Sequence, residues 1–229
     1  MSRCRRYAAI KITGMASSYV EPQFQHSALI TIDVQCDFLD GGTSTIPGTS
    51  AVLPQITLLA QAFRVAGLPI FHMVRIYQPD GSNAELSRRA ALESGGRMVL
   101  PYTSGMELAP ELLPPGPLRL NAGLLLSGEV QALGPAEWAM FKPRWGAFFR
   151  TKLEAMLHEL RVTTLIFCGC NFPNCPRTSI YEASERDFRI VLAEDGVSGL
   201  YDRGRSELLG IGVAMMAAGQ IAGLLSQAK

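Results

Sequence analysis

The sequence predicts an α/β domain with a mostly parallel sheet covered by helices on both faces, a three-layer αβα sandwich. Three observations carry this reading. Short, nearly continuous apolar runs alternate with stretches of helical periodicity. Two of those runs end in a residue able to do chemistry or in a glycine turn that leads to one. Nearly half of the 229 residues are hydrophobic, enough for one sizeable core.

The elements follow in order. Residues 1–25 open with Arg3, Arg5, Arg6 and Lys11 and have no long apolar run, so they read as a poorly ordered extension, with Met15 as a second candidate start, and not as a secretory signal. The domain proper is expected over 26–229. Ala28 to Asp33 is a buried strand that ends in an acid. Gly41, Gly42, Pro47 and Gly48 punctuate the loop after it. Residues 51–66 place Val52, Ile56, Leu59, Ala60 and Phe63 at helical spacing, and Gly67 supplies the stop. Residues 68–74 form a second strand. Residues 78–117 are rich in Pro, Gly and Ser, and read as long loops with short helices that shape a pocket. Phe149, Leu153, Met156, Leu157 and Leu160 share one helix face. Residues 163–169 form a strand rich in β-branched and aromatic residues. Pro176 suits the first turn of the next helix, and residues 189–195 are the strand after it. Leu208 to Leu225 is apolar except for Gln220. Its four glycines favour a buried terminal helix over a membrane span.

Composition excludes several classes. Twenty-one basic and 20 acidic side chains leave a formal charge of +1, so no nucleic-acid partner is expected. The five cysteines are odd in number and three crowd into residues 168–175, which is no disulfide framework and fits a reducing cytoplasm. A zinc cage of Cys36, Cys168, Cys170 and Cys175 lacks paired knuckles, and Cys168 and Cys170 read better as small core residues.

Three residues stand where chemistry is expected. Asp33 ends one strand. Cys175 lies just past another at a helix start, where free N–H groups and partial positive charge favour a thiolate and can receive an oxyanion. Lys142 is flanked by Phe141, Pro143 and Trp145. Those neighbours argue for partial burial, where a lysine needs an anionic partner, and Asp33 is the candidate.

These residues carry a resemblance. Asp33-Val-Gln-Cys-Asp-Phe38 with Gly41-Gly42 resembles the D-x-Q-x-D-F…G-G signature of isochorismatase-like cysteine hydrolases. Lys142 with Ala147-Phe148 is similar to the second motif of that family, Gly169 to Cys175 to the third, and Asp195-Gly-Val-Ser198 to the D-x-V-S after the next strand. The resemblance implies a sheet of about six strands and a catalytic set of Asp33, Lys142 and Cys175. It also implies an oxyanion hole from the backbone of Phe172 and Cys175, and Phe38, Trp145, Phe148 and Phe172 at the substrate. Phe172 replaces the family's usual threonine, and Pro173 follows it. Members of the family commonly carry a cis peptide just before that position, so the resemblance implies one at Asn171–Phe172, or at Phe172–Pro173 at lower cost. No cofactor is implied. The nicotinamidase branch carries a metal held by an Asp and a His pair, whereas only His26, His72 and His158 occur here and only His72 falls in the right region, so no catalytic metal is expected. The substrate implied is a small-molecule amide or lactam, and family habit implies a homodimer or homotetramer. The segment 169–188 resembles a subgroup of the family that includes streptothricin hydrolase, which makes a streptothricin-type lactam the leading candidate. The alternatives are a nicotinamidase or an N-carbamoylsarcosine amidase type of enzyme, a vinyl-ether-cleaving isochorismatase, which would not use Cys175, and a non-catalytic binding or assembly member.

Overall fold

The computed structural model describes residues 19–227. The expectations for residues 1–18 lie outside the described residues. Residues 19–25, assigned to the extension, are folded onto the domain: Gln23 N–H donates to Thr164 Oγ1 at 2.9 Å, and Phe24–His26 form a 3-10 turn into the first strand.

Among the described residues seven strands form one sheet in the order β3-β4-β2-β1-β5-β6-β7. They are β1 (Ser27–Ile32), β2 (Ile70–Val74), β3 (Val130–Gly134), β4 (Glu137–Phe141), β5 (Thr164–Gly169), β6 (Arg189–Val197) and β7 (Ala214–Met216). Only β3 runs antiparallel, as the edge partner of β4. The central strands β1, β2 and β5 are buried along their whole length, which is why they read as continuous apolar runs and not as alternating ones.

Helices cover both faces. On one, α1 (Thr49–Ala66) presents Leu53, Ile56, Leu59 and Phe63, and α7 (Ala218–Gln227) adds Ile221 and Leu225, against Leu29, Ile70, Ile166 and Val191. On the other, α4 (Leu153–Glu159), α5 (Cys175–Ser184) and α6 (Asp202–Gly210) pack on Ile30, Ile32, Phe71 and Phe167. The remaining helices, α2 (Leu86–Glu93) and α3 (Ala122–Leu126), belong to a third cluster beyond the strand ends, built with Tyr77, Val99 and Met106.

Three expectations need correction. The sheet has seven strands, not about six, because residues 130–141 form a tight hairpin and β7 is a further short edge strand. The apolar stretch 208–225 is not one helix. Gly212, at φ +83°, turns the chain after α6 so that it enters β7 and then α7. Phe149 and Leu160 lie outside α4 and are about 42% exposed, leaving Leu153 and Leu157 as its buried face. Among the described residues no helix is long and apolar enough to cross a membrane.

A buried polar network ties the sheet to α1. Thr31 Oγ1 lies 2.8 Å from His72 Nδ1, and His72 Nε2 lies 2.7 Å from Glu137 Oε1. Arg64 forks onto both Glu137 oxygens at 2.7 and 2.8 Å and also reaches the Leu112 carbonyl. Burial alone would raise the Glu137 carboxyl, but the hydrogen bonds from Arg64 and His72 outweigh it and hold the group down at about 2. A carboxyl lowered on folding contributes stability above its ordinary range near 4.5, and that contribution is lost as pH falls towards 2. Glu137→Gln should therefore destabilise the domain by about 3 kcal/mol at neutral pH, with the loss shrinking in acid. Urea unfolding at pH 7 and pH 3 checks this, and an equal change at both values would contradict it.

Candidate active site

The site is built one residue beyond the carboxyl ends of neighbouring strands. Register makes it so: Ile32 pairs with Gly169, and Val74 pairs with Phe141. Asp33 therefore follows β1, Arg75 follows β2, Lys142 follows β4, and Cys170 and Asn171 follow β5. This is the crevice where the strand order reverses and where open parallel sheets place ligands.

Asp33 adopts φ +54°, an uncommon conformation for a residue with a side chain, and its N–H donates to the Met73 carbonyl at 2.9 Å. Lys142 N–H donates to the Val74 carbonyl at 3.0 Å. The two side chains meet with Lys142 Nζ 2.8 Å from Asp33 Oδ2, and Lys142 has no exposed side-chain surface. Asp33 Oδ1 is buried without a hydrogen-bond partner in the structure. The sequence placed these two side chains together, and so they lie.

Cys175 is the first residue of α5 and lines the same cleft as Asp33, together with Phe38, Arg75, Tyr77, Glu85, Arg88 and Asn171. Burial pushes its thiol up to about 12, reinforced by the negative charge of Asp33, while Lys142 acts in the opposite sense. The helix start alone does not make a standing thiolate here.

The turn from β5 to Cys175 has little freedom. Gly169 has φ +116°, and a Cβ there would lie 2.2 Å from the Ile32 carbonyl oxygen. Ser198 grips the same turn from the other side. Its N–H donates to the Gly169 carbonyl at 3.1 Å, and its carbonyl accepts the Phe172 N–H at 2.8 Å. That bond corrects the oxyanion assignment, because the Phe172 N–H is already engaged. Asn174 N–H goes to the Asn171 carbonyl, and Pro173 and Pro176 have none to give. The N–H groups of Asn171 and Cys175 are the ones in this turn that no acceptor among the described residues takes. The expected cis bond is also corrected. Every peptide among the described residues is trans, and the sharp turn is made by Gly169 and by Asn174 at φ −114°, ψ −100°.

The aromatic residues separate. Phe38 lines the cleft. Trp145 lines an adjoining depression with Glu85, Arg144, Phe149 and Thr178. Phe148 and Phe172 are not brought to the cleft. Phe148 packs 6.0 Å from Phe188 in the core, and Phe172 is wholly buried edge-on to Tyr201 with its ring over Gly204.

The rest of the first motif is structural. Gln35 donates from Nε2 to the carbonyls of Arg75 and Met106, and its Oε1 accepts the Arg75 N–H. Asp37 Oδ2 accepts the Val99 N–H at 2.6 Å. A Cβ on Gly42 would lie 2.4 Å from the Asp37 carbonyl oxygen, so the backbone folds tightly here. Together these residues fasten the 78–117 region beside the cleft.

The nicotinamidase-type metal does not fit. His72 is fully buried with Thr31 and Glu137 on its two ring nitrogens, and Arg75 and Tyr77 occupy the end of β2. The cysteines do not converge either: Cys36 reaches the Leu108 carbonyl, Cys168 that of Ile30 and Cys170 that of Asp33. Among the described residues no three His, Cys, Asp or Glu side chains are grouped to hold a metal ion.

Sequence reasoning missed Arg75 and Tyr77 as cleft residues, and it assigned residues 78–117 to the pocket without singling out Glu85 or Arg88 from the other charges there. A signal existed for Arg75, which follows its strand as Asp33 follows β1, but nothing in the spacing tied Glu85 or Arg88 to it.

The Isochorismatase domain is matched over residues 27–218. A probable inactive nicotinamidase of Arabidopsis thaliana is 28% identical over 168 residues, covering 72% of this chain and 76% of its own. The ureidoacrylate amidohydrolase RutB of Methylobacterium radiotolerans is 29% identical over 180 residues, covering 72% of this chain and 65% of its own. Among solved structures, an isochorismatase family protein from Desulfovibrio vulgaris superposes with a TM-score of 0.73 at 26% identity, covering 88% of this chain and 98% of the other.

With the thiol held near 12, the thiolate fraction grows about tenfold per pH unit below that value. Iodoacetamide labelling of Cys175 should rise from pH 7 to pH 10 without a plateau, and should outpace Cys168 and Cys170, which are almost fully enclosed. Peptide mass mapping reads this directly, and a plateau near neutral pH would contradict the environment described.

Proposed function

The chain belongs to the isochorismatase family, and on that footing we propose that it is a cysteine hydrolase cleaving the carbon–nitrogen bond of a small carboxamide through Cys175, Asp33 and Lys142. The observation that carries the reading is the buried Asp33–Lys142 pair, 2.8 Å apart, beside a thiol at a helix start.

The chemistry follows from that placement. Asp33 takes the thiol proton as Cys175 Sγ bonds to the carboxamide carbon, so the nucleophile is generated during attack and need not stand ionised beforehand. The N–H groups of Cys175 and Asn171 receive the negative oxygen of the tetrahedral adduct. Asp33 returns its proton to the nitrogen, the C–N bond breaks, and the amine leaves behind a thioester. Water then gives a proton to Asp33 and its oxygen to the carbonyl carbon. The acid departs and the thiol regains its proton. Lys142 keeps Asp33 in position between the half-reactions.

The cleft's dimensions bear on the substrate. It is tight, with about 10 Å³ open to a water-sized sphere. A small amide, the kind of substrate a ureidoacrylate amidohydrolase is named for, needs less room to be made there than a streptothricin-type lactam does. The lactam reading rests on the resemblance of residues 169–188. A non-catalytic role is the reading that the inactive Arabidopsis relative brings forward, and the presence of all three side chains here argues against it.

Cys175→Ala should abolish amide hydrolysis while leaving the fold intact, and Asp33→Asn should lower kcat by about 10²–10⁴. The assay is release of amine and carboxylate from a panel of small amides, with a streptothricin lactam alongside. Wild-type rates in Asp33→Asn would exclude it as the base. Opening of the lactam with inert small amides would reverse the order of the two substrate readings.

A further inference from the structure

The charges around the cleft do not cancel. Asp33, Arg75, Glu85 and Arg88 line it, and Lys142 stands behind Asp33. Lys142 is matched by Asp33 at 2.8 Å, and Arg75 by Glu85 at 2.5 Å. Arg75 is further saturated by the Lys142 carbonyl at 2.8 Å and by Tyr77 Oη at 2.9 Å, and Tyr77 in turn donates to Glu85. These four charges sum to zero, and Arg75, Tyr77 and Glu85 are hydrogen-bonded to one another.

Arg88 is left over. It sits on α2, half-buried, and its guanidinium meets Met98 Sδ at 3.2 Å, a weak acceptor. Among the described residues no carboxylate pairs with it. A guanidinium partly withdrawn from water, lining a cleft whose carboxylates Asp33 and Glu85 are already paired with Lys142 and Arg75, carries a desolvation cost that a bound carboxylate would offset. Its planar fork suits a carboxylate in two-point contact. The helix that carries it does not hang free, because Asp37 and Gln35 fasten the segment after it through Val99 and Met106.

We propose that Arg88 receives a carboxylate of the substrate, so that this chain acts on anionic amides, compounds with a carboxamide or ureido carbon at Cys175 and a carboxylate a few atoms away. The proposal rests on the amidase reading above for which end of the molecule reaches Cys175. The same free cation disfavours a polycationic lactam.

The test is binding to the full-length Cys175→Ala protein, where no turnover intervenes. Succinamate carries one amide and one carboxylate, and succinamide is its neutral counterpart. Titration calorimetry should show succinamate binding about tenfold or more tightly than succinamide. Arg88→Gln should erase that preference and leave succinamide unchanged, and Arg88→Lys should keep part of it, a pattern that a merely structural role would not produce. Equal affinities, a preference that survives in Arg88→Gln, or no binding of either compound at millimolar concentration would overturn the assignment. Turnover by the Cys175-containing protein is measured separately. Selective binding of succinamate without hydrolysis of any amide would sink the amidase reading and leave Arg88 as an anion site.

Discussion

A lysine with no exposed side-chain surface, 2.8 Å from a carboxylate that is itself 5% exposed, is the constraint around which this molecule is arranged. Bringing two charges out of water costs several kcal/mol each, and attraction offsets that cost only when the geometry is fixed. Here the fixing is done by strand ends. The Asp33 N–H is held by the Met73 carbonyl and the Lys142 N–H by that of Val74, so β2 sets the distance between the residues that follow the other two strands. A slip of one residue in either pairing would send one of the two side chains to the opposite face. The same pair then defines the electrostatics of Cys175, whose thiol is kept protonated chiefly by burial and by Asp33.

The neighbouring features serve that arrangement. Gly169 lets the chain pass over the Ile32 carbonyl, and Ser198 holds the resulting turn with two backbone bonds, so that α5 begins at Cys175. Ser179, one turn into α5, donates to the Cys175 carbonyl and accepts the Ala147 N–H, while Glu182 accepts the Phe148 N–H. The segment after Lys142 is thus clamped to the helix of Cys175. Rigid elements, not mobile loops, position all three side chains, which is what a near-attack geometry requires.

Much of this was legible in the residues. The continuous apolar runs of β1 and β5 announced central strands, and the residues just beyond them were the right place to look. What escaped had physical reasons. β7 is three residues of Ala and Met with no β-branched side chain, and its stretch carried a helix-like apolar run broken only by glycines and Gln220. The β3–β4 hairpin is short and turns at Pro135 and Ala136, without the Asn-Gly or Asp-Gly signal. Phe148 and Phe172 were expected at the substrate from the family resemblance, but a place in a motif does not fix which way a side chain turns, and both rings are spent on the core. The Phe172 N–H was lost to Ser198, a contact 26 residues away in the chain that no local pattern encodes. Arg75, Glu85 and Arg88 meet only because β2 and α2 converge at the cleft.

The account stands or falls on whether Cys175 forms a covalent acyl intermediate with its proton delivered to Asp33. Rapid acid quench of the enzyme with a slowly hydrolysed amide, followed by intact and peptide mass spectrometry, measures this directly. The account expects an added mass equal to the acyl group on the Cys175 peptide, formed before the acid product appears and absent in Asp33→Asn. Turnover without any adduct at Cys175, or an adduct that forms as fast in Asp33→Asn, would contradict it.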